Sequence, residues 1–197
     1  LTEWLADEWE RMVSSAQARG LPPRAVHCVL GLLAHCREPL SRDQLVAILT
    51  KVMRRTPANG ERVPAIGVLP VAYFAPHLDN VLQATEGLLD PVGTADGEIA
   101  CYRFFHDGFS DFVVDQLCQQ ECCDCHRVLA DGCAGCVPIS PLWSYALLYV
   151  PHHYLTAGEP EDVQNAVQVL SDKAFVNARL AAGLVYEIAQ DLRLVAE

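Results

Sequence analysis

Two cysteine pairs carry the most specific chemical pattern in this sequence. Cys122-x-x-Cys125 and Cys133-x-x-Cys136 are separated by seven residues, with Cys118, Cys123 and His126 beside them. Paired C-x-x-C knuckles deliver four thiolates to a tetrahedral Zn²⁺ with little strain, and Gly132 and Gly135 lend the second knuckle backbone freedom. The expectation is therefore a structural zinc held by Cys122, Cys125, Cys133 and Cys136. A second reading stands beside it: one Cys-rich helix from Phe112 to about Ala134, with Cys118, Cys122 and Cys125 sharing a face and packing as inert thiols. Redox chemistry is the third, although no thioredoxin-like βαβ pattern surrounds either pair. A catalytic zinc would need an open coordination position and a carboxylate base, and Glu121 and Asp124 read equally well as solvated helix charges.

Other reactive residues are sparser. His106-Asp107 stands at the start of a helical pattern and reads, on its own, as a capping or packing element. His152-His153 follows Pro151, but adjacent positions on a helix diverge, so one ring is expected to pack and the other to face solvent. Ser110 lies one helical turn from His106 without a triad around it. Trp4, Trp9 and Trp143 read as core anchors. No G-x-x-x-x-G-K-[ST] occurs, so the chain carries no phosphate-binding loop.

The elements that must position these residues are mostly helical. Trp4, Leu5, Trp9, Met12, Val13 and Ala16 recur at helical spacing and stop at Gly20. Pro22-Pro23 open a second helix from Arg24 to about Cys36. Ser41 and Gln44 form a capping-box pattern flanked by Leu40 and Leu45, and begin a third helix that fades near Met53. Residues 56–70 are rich in Pro and Gly and read as a loop. A further helix covers Leu78 to Ala84. The period then changes: Leu88 to Val92 and Ile99 to Phe104 flank a polar turn and read as a β-hairpin. Helix returns from Phe109 to about Leu117, and after the cysteines through Leu142–Val150, Pro151–Ala157, Asp162–Leu170, Ala174–Ala182 and Leu184–Val195. Gly158 and Gly183 stand where helix-terminating glycines belong, and Ser171 where a cap would.

The fold class expected is mainly α: a winged-helix domain with a small β-hairpin, followed by an α-helical bundle or solenoid-like linker. Its parts are 1–22, a helix ending a preceding domain; 23–117, winged-helix-like; 118–140, a Cys-rich connector; and 141–197, a helical linker domain.

Composition narrows the function classes. The net charge of −11 argues against nucleic acid as a partner, since such affinity comes from neutralising phosphates. The cluster of Lys51, Arg54 and Arg55 is too small to offset it, and the helix that would enter a groove, around Pro76 to Leu89, holds no Lys or Arg. The longest uncharged run falls short of a membrane span, and no basic n-region precedes an apolar stretch. Nine cysteines without a secretory signal fit a reducing cytoplasm.

Two stretches resemble a known family. Arg37 to Leu45 (REPLSRDQL), followed by Tyr102 to Val113 (YRFFHDGFSDFV), resembles the winged-helix region after the NTPase core of STAND proteins, the class of NACHT and apoptosome-like signalling ATPases. Trp143 to Gly158 (WSYALLYVPHHYLTAG), continued by Ser171 to Leu180, resembles the helical linker that follows, which often precedes a repeat sensor. The match runs in order over about residues 23–190. The resemblance implies a non-catalytic regulatory region whose partners are an upstream NTPase domain and a downstream sensor or effector. It implies further that His106, with Asp107, reaches the diphosphate of ADP bound by that upstream domain. Many relatives carry Ser where this chain has Gly108. A stand-alone, zinc-stabilised winged-helix regulator binding DNA or protein is the alternative.

Overall fold

The computed structural model describes residues 2–54, 71–85, 88–93 and 99–196. The expected loop at 56–70 and most of the hairpin turn lie outside them. Among the described residues there are ten helices and one two-stranded antiparallel sheet. The elements are α1 Thr2–Ala18, α2 Pro23–His35, α3 Arg42–Arg54, α4 Val71–Ala84, β1 Leu89–Gly93, β2 Ile99–Phe104, α5 Asp107–Gln116, α6 Gln119–Cys133, α7 Trp143–Ala157, α8 Pro160–Ser171, α9 Lys173–Ala181 and α10 Val185–Ala196.

Local chemistry sets most of these boundaries. Pro occupies the first turn of α2, where its missing N–H costs nothing. Ahead of α3 the capping box is reciprocal: the Ser41 amide donates to Gln44 Oε1 at 2.7 Å, and the Gln44 amide donates to Ser41 Oγ at 3.1 Å. Leu40 and Leu45, the residues flanking that box, are both fully buried. Gly158 ends α7 at φ 78°, and Gly183 lies beyond α9 at φ 79°, a region open to glycine without strain. The cap of α9 is Asp172 rather than Ser171: its Oδ1 accepts from the Ala174 amide at 2.7 Å, and a carboxylate also complements the helix dipole.

Two helix boundaries differ from the sequence reading. Phe112 to Ala134 is not one helix; α5 ends at Gln116 and α6 restarts after Cys118, whose amide is held by Glu121 Oε2 at 2.9 Å. Pro151 does not divide the following segment, and α7 runs unbroken through it. Buried Tyr145, Ala146, Leu147, Val150 and Tyr154 on both sides hold the helix in register, so packing outweighs the lost N–H.

In the hairpin, Leu89 faces Phe104, Asp90 faces Arg103 and Val92 faces Cys101, with a bulge between Val92 and Gly93. Pro91 lies in β1, the outer strand, where a missing donor is tolerated. On the other side of β2, Leu40 and Tyr102 form an isolated antiparallel bridge, the Tyr102 amide donating to the Leu40 carbonyl at 2.8 Å and the Leu40 amide returning at 3.3 Å.

One apolar core runs through the described residues, from Leu5, Trp9, Met12 and Ala16 of α1 to Ala166 of α8. Helix α1, expected as the end of a preceding domain, shares this core; Trp9 packs edge-on against His27 at 4.8 Å and Phe112 at 6.1 Å. Trp4 is half exposed, at 51%, instead of serving as a core anchor. Helix α6, expected as a connector, lies at the centre. Cys125 meets Gly31 of α2, and Gly132 meets Ile48 of α3. Arg127 reaches Asp162 of α8, and the Tyr154 hydroxyl of α7 donates to Asp131 Oδ1 at 2.7 Å.

Candidate functional site

The residue pair after the hairpin comes first. The chain leaves β2 extended and His106 becomes the N-cap of α5, its Nδ1 accepting from the Gly108 amide at 2.9 Å. A neutral ring that accepts at Nδ1 carries its proton on Nε2, which leaves that nitrogen as a donor. The ring is exposed and stands 6.5 Å from Phe109, edge-on. A Cβ at position 108 would sit 3.1 Å from His106 Nδ1, so a larger residue there would press on the capping ring. Asp107 occupies the first turn of α5 and is exposed. The capping role expected of His106 from its position is therefore present. Ser110 has no part in a triad with it, because its hydroxyl donates to the Ala34 carbonyl at 3.3 Å.

The cysteine tetrad does not assemble. Cys122, Cys125 and Cys133 all belong to α6. At 1.5 Å of rise per residue, Cys122 and Cys133 lie about 16 Å apart along that helix. A tetrahedral zinc with bonds of about 2.3 Å needs its sulfurs within about 4 Å of one another. The four are therefore not brought together as one ligand set. Instead Cys125 and Cys133 are fully buried core side chains, and burial pushes both thiols up, as it does Cys28. Cys122 is half-buried and its thiol is also raised by burial. Cys136 follows the helix and is partly buried against the core, while Cys118 is exposed. Among the described residues no three His, Cys, Asp or Glu side chains converge on a point that could hold a metal.

What the structure does bring together is a set of histidines. His35 at the end of α2, His126 in the middle of α6, and His152 and His153 on α7 form one cluster. Ring centroids are 4.8 Å apart for His35 and His126, 5.2 Å for His126 and His153, 6.3 Å for His126 and His152, and 5.6 Å for His152 and His153. His153 Nδ1 lies 2.9 Å from His126 Nδ1, and His153 Nε2 lies 2.8 Å from the Tyr145 hydroxyl. His35 Nδ1 lies 2.8 Å from the Gly31 carbonyl, to which it must donate.

The direction of these bonds follows from satisfying every group. The Tyr145 oxygen accepts from the Arg37 amide at 3.3 Å, so its own proton is free to go to His153 Nε2. His153 then bears its proton on Nδ1 and donates it to His126 Nδ1. The reverse polarity would leave the Tyr145 hydroxyl proton without a use here. All four rings are neutral. Burial lowers their proton affinity, to about 3 for His126 and about 2 for His153, with the neighbouring imidazoles and Arg37 adding to it; His35 and His152 are lowered for the same first reason. His153 is fully buried, and His152, expected to face solvent, is instead partly buried in the same cluster. Their convergence with His126 was not legible in the sequence, where His126 sat inside the cysteine pattern and the α6–α7 pairing that joins them is tertiary.

No protein-family model matches this chain, and no curated protein or solved structure is significantly similar to it. No described helix is long and apolar enough to cross a membrane.

Proposed function

We propose that the chain is the regulatory and connecting region of a STAND-type nucleotide switch, without catalytic residues of its own. One observation supports this above the rest. Helix α2, the extended Leu40, helices α3 and α4 and the hairpin follow one another in winged-helix order, the Leu40–Tyr102 bridge adds a third strand position, and His106 caps the helix that leaves the hairpin. An exposed imidazole at a helix N-terminus, with its proton on Nε2, suits a phosphate oxygen, and the helix dipole adds to that. ADP or ATP enters this reading only with an upstream NTPase domain, and His106 and Asp107 are the residues of this chain assigned to it.

The helices after α5 then form the linker towards a downstream sensor or effector. A shared core through α6 supports mechanical transmission, because movement of the hairpin-bearing half cannot be taken up in a loose joint. DNA binding is the weaker alternative: Asp79 of α4 is engaged by Arg42, with contacts at 2.5 and 2.8 Å, and presents no positive face to a groove. The test is the reading frame on either side together with His106→Leu in the full-length protein. A P-loop upstream and faster ADP loss with raised basal signalling in the variant support the proposal. Unchanged nucleotide retention and signalling overturn it.

A further inference from the structure

The histidine cluster has a use that does not depend on the nucleotide-switch reading. Its central contact, His126 Nδ1 to His153 Nδ1 at 2.9 Å, holds one proton between two nitrogens. It also joins α6, which packs on α2 and α3, to α7, which leads into the C-terminal helices.

The contact survives one added proton, as an imidazolium donating to a neutral imidazole, but not two. Each imidazolium bears a hydrogen on both nitrogens, so with both rings charged the contact turns from a hydrogen bond into two opposed N–H groups. The surroundings offer no compensation. From the α2 side, His35 and Cys36 face the cluster with Arg37, a cation that repels an imidazolium, and Glu38, whose carboxylate is taken by the Tyr149 hydroxyl at 2.8 Å. From α7 come His152, Tyr145 and Tyr149, and from α10 Glu187, which faces Tyr149. Further along α6, Asp124 is bound by Arg127, which also holds Asp162 of α8; Cys133 is a raised, neutral thiol facing Tyr145. Lys51 of α3 is bound to the Ala134 carbonyl.

We infer that the His126–His153 contact is an acid-released latch: charge on both rings of this imidazole pair forces α6 and α7 apart and uncouples the hairpin-bearing half from the C-terminal helices. The sign follows from both rings being neutral when folded and ordinary when unfolded. Their stabilisation is fully present above pH 6.5 and is lost progressively as pH falls from 6.5 towards 3. Depressed carboxylates such as Asp79 act only below their ordinary value of 3.8, so the window from 6.5 to 5 separates the two causes.

The experiment is urea unfolding of the whole chain between pH 7.5 and 5, with amide exchange read by segment. Each such histidine raises the unfolding constant about fivefold between pH 6.5 and 5.5, so the pair gives at least about thirtyfold. His126→Asn keeps an acceptor at the Nδ1 position and removes one titration; His153→Gln removes the other. Each variant is expected to lower the pH dependence by about fivefold, and α6 and α7 are expected to lose protection before α3 and the hairpin. A wild-type change below threefold, an unaltered dependence in both variants, or simultaneous loss everywhere overturns the inference. Should the variants not fold, imidazole NMR of the wild type decides. Charged imidazole signals that appear only as α6 and α7 lose protection support the latch; rings that titrate with that protection intact, or that stay neutral to pH 5 with it intact, overturn it.

Discussion

Arg127 on α6 grips Asp162 on α8 with two nitrogens, at 2.9 and 2.7 Å, while its third nitrogen reaches Asp124 at 3.0 Å. Both carboxylates are buried, and the guanidinium itself is largely so. A planar fork meets this geometry where an ammonium cannot. Removing the cation leaves two buried negative charges, so Arg127→Met is expected to cost about 3–5 kcal/mol. Arg127→Lys keeps the charge and should lose distinctly less. Urea midpoints at pH 7 measure both; a loss under about 1 kcal/mol in Arg127→Met would show the triad to be incidental.

Gly132 marks the closest approach of α6 to α3. A Cβ there would stand 2.6 Å from Ile48 Cγ2 and 2.9 Å from Ile48 Cα. Alanine ordinarily favours a helix over glycine by up to about 1 kcal/mol. Here a backbone atom must also give way, and overpacking costs about 1–3 kcal/mol. The net effect of Gly132→Ala is therefore destabilising, seen as a lower thermal midpoint. A raised midpoint would mean that the two helices can separate freely.

The thiols should divide by burial. Cys118 is exposed and is expected to react with a maleimide within minutes in the folded chain, whereas Cys28, Cys125 and Cys133 should react only in denaturant. Because Cys122 and Cys133 cannot share an ion, chelator should leave this pattern and the thermal midpoint unchanged. Mass-resolved labelling checks each cysteine, and protection of all four knuckle cysteines that EDTA abolishes would restore a zinc site.

Much of the fold was legible because short-range chemistry governs it. Ser41 and Gln44 announced α3, Gly158 and Gly183 the helix ends, and the change of period at Leu88 the hairpin. The cysteine spacing misled because C-x-x-C is also helical spacing, and nothing local distinguishes a knuckle from a turn of α6. Pro151 misled in the opposite sense, since its local cost is overruled by burial on both sides of it. The histidine cluster depends on which helices lie side by side, and four residues from three helices leave no periodic trace in the chain.

The Leu40–Tyr102 bridge carries a consequence for variation. It ties a ring of chain that includes the whole stretch between α3 and α4. The entropy of closing such a ring grows only with the logarithm of its length, about 0.6 kcal/mol for each doubling. A change in chain length anywhere within that ring therefore costs the tie between Leu40 and the hairpin little.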